Sequence, residues 1–83
     1  MEKDILAYWL KANLDNMKSQ LGRSCTYLAF ETENKQVYLK ANLINELGGK
    51  DKIKQKINVS LENLNEEDFK NMFNVLKDRV YAS

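Results

Sequence analysis

Between residues 4 and 21 the apolar side chains Leu6, Leu10, Leu14, Met17 and Leu21 recur at spacings of three and four. That rhythm predicts an amphipathic helix with one core-facing stripe. Asp4 is its expected N-cap, and Gly22 the residue past its end that accepts a left-handed backbone. Ile5, Trp9 and Ala12 form a second apolar strip, roughly 100° or more around the helix from the first, with Tyr8 beside it. A helix that is apolar on two sides needs two surfaces to pack on.

From residue 25 the period shortens to two. CTYLAFET, residues 25–32, predicts a strand with Thr26, Leu28 and Phe30 on one face and Cys25, Tyr27 and Ala29 on the other. Glu33, Asn34 and Lys35 are turn material, and QVYLK, residues 36–40, reads as the returning strand of a hairpin. Pairing Leu28 and Phe30 with Val37 and Leu39 defines a buried face, which leaves Tyr27, Ala29, Tyr38 and Lys40 on the open one. ANLINELGG predicts a short helix over Leu43–Leu47, capped by Asn42 and ended by Gly48 and Gly49. Extension of the second strand through Leu43 is the alternative. Residues 52–59 predict a third strand, with Ile53, Gln55, Ile57 and Val59 in one row and Lys52, Lys54, Lys56 and Asn58 in the other. With Lys50 included, lysine holds four alternate positions.

The last helix carries the clearest start signal. Asn65 as N-cap and Asp68 three residues later make a capping box, and Leu64 and Phe69 are placed to form a hydrophobic staple across it. Glu66, Glu67 and Asp68 set negative charge at the positive end of the helix dipole. Phe69, Met72, Phe73, Leu76 and Val80 form one apolar stripe. The expected element order is α-β-β-(short α)-β-α. It describes a single α+β domain over residues 1–83: a small two-layer sandwich with a three-stranded, mainly antiparallel sheet and both helices on one face.

Composition narrows the chemistry. The chain has 83 residues and a formal net charge of +1, so a nucleic-acid contact would have to come from a local patch and not from a global basic excess. Ten Asn, eleven Lys and two Arg fit an A- and T-rich gene, as in low-GC bacteria and their phages. Histidine is absent, which removes the commonest general base and metal ligand and every Ser-His or Cys-His pair. The single cysteine, Cys25, cannot form an internal disulfide and reads as a small packing residue. The N-terminal MEKDILAYWLKANLD carries charge among its apolar residues, unlike a signal core or a membrane span, so a cytoplasmic location is expected.

Neither candidate ligand site in the sequence has the pattern its chemistry needs. Glu62, Glu66, Glu67 and Asp68 are a dense acidic cluster without the alternating, Gly-centred loop of a calcium site, and helix capping explains them. Gly48-Gly49-Lys50 precedes a predicted strand, whereas a phosphate-binding loop runs into a helix. No catalytic residue, metal, cofactor or small-molecule substrate is therefore inferred.

Two binding readings remain. Ile5, Tyr8, Trp9 and Ala12 form an aromatic-rich patch of the kind favoured at protein interfaces, although Trp9 could equally wrap the edge of this domain's own core. Lys52, Lys54 and Lys56, about 6.6–6.8 Å apart along a strand, approach the phosphate spacing of an extended single strand. Tyr27 and Tyr38, with Lys40, would share their face and offer stacking surfaces. The plain alternative is a solvated strand whose lysines discourage edge-to-edge pairing. The leading expectation is a small non-enzymatic binding or regulatory protein acting through protein–protein contact, self-association into a homodimer included. A phage or mobile-element accessory role is compatible with its size. The alternative is a nucleic-acid-binding module using the open sheet face.

Overall fold

The computed structural model describes residues 3–81. Helix α1 spans Lys3–Leu21 and helix α2 spans Glu66–Tyr81. Between them lie β1 (Cys25–Glu33), β2 (Gln36–Ile44) and β3 (Lys50–Lys56). The strands form an antiparallel meander in the order β1-β2-β3, so β2 is central and the lysine-bearing strand is an edge.

One face of the sheet is dry. Leu39, Ala41 and Leu43 of β2 and Ile53 of β3 are buried there, together with Met17 and Leu21 of α1 and Phe69, Met72, Leu76 and Val80 of α2. α1 packs over β1 and α2 over β2, which places both helices on this face. Trp9 bridges them: its ring meets Phe69 edge-on at 5.2 Å, and Phe69 meets Phe30 of β1 at 6.1 Å. The opposite face of the sheet carries no helix among the described residues.

The α2 start forms as its sequence dictates. Asn65 Oδ1 accepts the Asp68 N–H at 2.9 Å, and Asp68 Oδ2 accepts the Asn65 N–H at 3.0 Å, the reciprocal pair of a capping box. Leu64 and Phe69, on either side of that cap, are both buried. At the far end, the Val80 carbonyl accepts the N–H of Glu46 at 3.0 Å, and Arg79 pairs with Asp51 at 3.1 Å. The β2–β3 connection thus helps terminate α2.

Several expectations are corrected. The segment after Asn42 is not a helix: β2 runs to Ile44, and Asn45–Gly49 is a tight turn. Ala41 and Leu43 extend the alternation of Val37 and Leu39 into the core, and that burial overrides the local capping signal. The Asn45 side chain accepts the N–H groups of Leu47 at 3.0 Å and Gly49 at 2.8 Å, while Gly48 adopts φ +84°, so both glycines serve a strand-to-strand turn. Asp4 is no cap, because the helix already includes Lys3; its carboxylate sits in the first turn. Gly22, at φ +59°, does end α1 as expected.

Within the sheet, Cys25 sides with the core and not with Tyr27. The register slips between the two, where Cys25 pairs with Leu43 and Tyr27 with Asn42, so Thr26 is an extra residue that reverses the alternation. Val59 lies beyond β3 and is exposed instead of continuing the Ile53–Ile57 row. Finally, the α1 stripe is only partly buried: Met17 and Leu21 are in the core, whereas Leu6, Leu10 and Leu14 are half-buried.

Candidate functional surfaces

Two surfaces carry the residues singled out by sequence. The first is the outer side of α1. Tyr8 lies nine residues from Met17, a rotation of about 180°, and so points directly away from the core. It is 76% exposed, Ile5 is 54% exposed and Ala12 is exposed beside them. Trp9 belongs only half to this group. Its ring is spent on Phe69, and its carbonyl accepts the Asn13 side-chain N–H at 2.9 Å. The expected quartet therefore divides into three outward-facing residues and one that anchors α1 to α2.

The second surface is the open sheet face. The register places Tyr27, Asn42 and Lys52 in one row across the three strands. Ala29, Lys40 and Lys54 form the next, and Glu31, Tyr38 and Lys56 the third. All six residues proposed from sequence for this face, Tyr27, Tyr38, Lys40, Lys52, Lys54 and Lys56, are brought together. Lys54 Nζ sits 4.5 Å above the centre of the Tyr38 ring, a cation–π contact.

The same face holds two carboxylates that sequence reasoning overlooked. Lys40 Nζ lies 3.4 Å from Glu31 and 3.3 Å from Glu33, and Lys54 Nζ lies 2.9 Å from Glu33. The Tyr27 hydroxyl donates to Glu31. Glu33 is held below its ordinary pKa by hydrogen bonds from Lys54 and then Lys40, and Glu31 by the Tyr27 hydroxyl and then Lys40. Conversely, the Tyr27 hydroxyl is raised by its bond to Glu31, and Lys40 by its bond to Glu33. The signal for both acids was present in the alternation, since Glu31 and Glu33 continue the row of Tyr27 and Ala29. Glu33 is the last residue of β1, next to Asn34 and Lys35, where it reads as turn material.

The face is thus a mixed polar network. Lys52 and Lys56 have no carboxylate within ion-pair distance among the described residues, whereas Lys40 and Lys54 do. Two aromatic rings remain, but Tyr38 lies under Lys54 and the Tyr27 hydroxyl is occupied by Glu31. No group of three or more acidic or cysteine side chains that could hold a metal ion is gathered among the described residues. Cys25 is buried, its Sγ donates to the Tyr27 carbonyl at 3.3 Å, and burial raises the thiol pKa, which disfavours the thiolate. No helix among the described residues is long and apolar enough to cross a membrane. No protein-family model, curated protein or solved structure matches the chain.

Proposed function

We propose that this is a small non-catalytic binding protein that acts through protein–protein contact, with the outer side of α1 as the contact surface. One observation carries the reading: α1 has 19 residues, yet only Met17 and Leu21 are buried, while Ile5 and Tyr8 stand 54% and 76% exposed. Covering a large apolar side chain is worth roughly 1.5–3 kcal/mol, so a partner seated on Ile5, Tyr8 and Ala12 gains from surface the fold leaves in water. Aromatic side chains of this kind are enriched at interface centres.

Ile5→Glu and Tyr8→Glu test the reading without touching the core. Sedimentation equilibrium reads self-association, and capture on immobilised protein followed by elution reads heterologous partners. Loss of an association in both variants, with wild-type melting retained, supports the reading. An unchanged set of associations in both variants rejects it.

A nucleic-acid contact on the open sheet face ranks second. The assembly of Tyr27, Tyr38 and four lysines favours it, and Glu31 and Glu33 oppose it, because they already engage Lys40 and Lys54. Titration of single-stranded DNA and RNA at low and high salt decides it. A nucleic-acid site gives salt-dependent binding that Lys52→Glu, Lys54→Glu and Lys56→Glu abolish together.

A further inference from the structure

The geometry points to the free edge of β3 as a binding site for an extended segment of another protein, one whose side chains alternate between acidic and uncharged. This is a second surface, on the opposite flank from α1, and it stands independently of the α1 reading.

The phase of the β2–β3 ladder fixes which backbone groups of β3 face outward. Ile57 donates its N–H to the Val37 carbonyl at 2.9 Å. In an antiparallel pair the residues that exchange hydrogen bonds alternate with those that do not. Gln55, Ile53 and Asp51, which lie opposite Leu39, Ala41 and Leu43, therefore turn their backbone groups toward β2. Lys52, Lys54 and Lys56 turn theirs outward. No other described segment takes up those outward groups with a backbone hydrogen bond. Three successive outward positions form a template for an added strand.

The two sides of that edge differ in chemistry, and the difference specifies the ligand. On the open face an added strand would lie directly beside the lysine row. Lys54 already has Glu33, but Lys52 and Lys56 have no carboxylate among the described residues, so acidic side chains opposite them complete the charge pairing. On the other face, a groove of about 220 Å³ lies between the end of β3 and α2. Val59 and Val75 line it at 44% and 39% exposure, with Met72 at its floor. A strand that alternates a carboxylate with a Thr or Val meets both requirements. Its carboxylates face Lys52 and Lys56, and a methyl-bearing side chain covers Val59 and Val75. Lysines that only guard an edge need no such groove beside them.

The test uses the full chain and fluorescence anisotropy with a labelled, acetylated peptide, Glu-Val-Glu-Thr-Glu-Val-Glu. The same peptide with Lys for Glu and a labelled oligo-dT serve as controls. Three variants probe the three elements of the site. Lys52→Glu with Lys56→Glu reverses the unpaired charges, Val75→Lys blocks the groove from the exposed side of α2, and Lys54→Pro removes one outward N–H from an edge position. Circular dichroism confirms that each variant retains the fold. The expected result is binding of the acidic peptide alone, weakened about tenfold by the double reversal and also lost with Val75→Lys and Lys54→Pro. Tyr8→Glu should leave it unchanged. Absence of acidic-peptide binding overturns the inference, and so does binding that responds to the charge reversal but not to Val75→Lys or Lys54→Pro, which is charge attraction without strand addition. Tighter binding of oligo-dT than of the peptide overturns it in favour of nucleic acid. None of these results alters the α1 associations, so the two readings fail separately.

Discussion

Trp9 meets Phe69 edge to face, with ring centroids 5.2 Å apart and an interplanar angle of 84°. Of the four residues in the N-terminal patch of α1, this is the one tied to the rest of the fold. The N-terminal half of the helix has no fully buried residue and is held by half-buried side chains, this ring contact and Leu10 on the core among them. Trp9→Ala should therefore destabilise the protein by about 2–3 kcal/mol, and amide exchange should rise across the first half of α1 before any rise in the sheet. Tyr8→Ala, one residue away but pointing into solvent, should stay within about 0.5 kcal/mol of wild type. Equal losses in the two variants would show that the α1 start is held in some other way.

The capping box at α2 predicts a graded series. Asn65→Ala removes the acceptor for the Asp68 N–H and should cost about 1 kcal/mol, whereas Asn65→Gly should cost only a few tenths. Asp68→Ala frees the Asn65 N–H from the other half of the pair. Because the two bonds are reciprocal, the double variant should lose less than the sum of the singles. Urea unfolding of wild type and the four variants measures this; strict additivity would mean that the two bonds act independently.

The capping box belongs to the element that sequence made most legible. α2 was readable because its cap, staple and apolar stripe agree with one another and with its burial. The hairpin was readable because Asn34 and Lys35, at φ 52° and 66°, sit between two alternating runs. The segment from Asn42 to Gly49 was not. An Asn followed by apolar residues and a Gly pair satisfies helix capping rules, and only the sheet's demand for Ala41 and Leu43 settles it as strand and turn. Cys25 lies on the face opposite to the one its alternation with Tyr27 predicts for a related reason, since a bulge at Thr26 shifts parity without leaving a composition signal. On the open face, sequence collected the tyrosines and lysines but missed Glu31 and Glu33. Both acids lie in the same alternating row as Tyr27 and Ala29, and only the fold brings them beside Lys40 and Lys54.

That balance predicts a pH dependence. Glu31 and Glu33 have folded pKa values lowered from 4.5, so their contribution to stability is fully present above about pH 4.5 and is lost as pH falls through the lower folded values. Glu33→Gln should thus melt lower than wild type at pH 7 and lose less of its melting temperature between pH 5 and about pH 3. Salt should shrink the difference, because both acids and Lys54 are solvent-accessible. At the alkaline end the sign reverses. Tyr27 and Lys40 have values raised from 10.0 and 10.5, so their contribution holds below those values and is lost as pH rises through the raised ones. An acid limb that is identical in wild type and Glu33→Gln would remove the network from the account.

Cys25 follows closely on α1 and opens β1, where it pairs with β2. The thiol is 3% exposed, lies opposite Leu43 and donates to the Tyr27 carbonyl across the bulge. Burial raises its pKa from 9.0, so little thiolate forms at neutral pH. Modification with an aromatic disulfide reagent at pH 8 should be at least about 100-fold slower in the native protein than in denaturant, because it must wait for the structure to open. The opening that exposes Cys25 must also release Met17 and Leu21, which share its core cluster. Met17→Ala should therefore speed labelling in proportion to the stability it removes, while Ile5→Glu and Tyr8→Glu should leave the rate alone. If labelling accelerates in those two α1 variants as well, the helix moves as one body and its outer face is coupled to the core. An unchanged rate couples Cys25 to the buried C-terminal half of α1 alone and leaves the N-terminal half free to accommodate a partner.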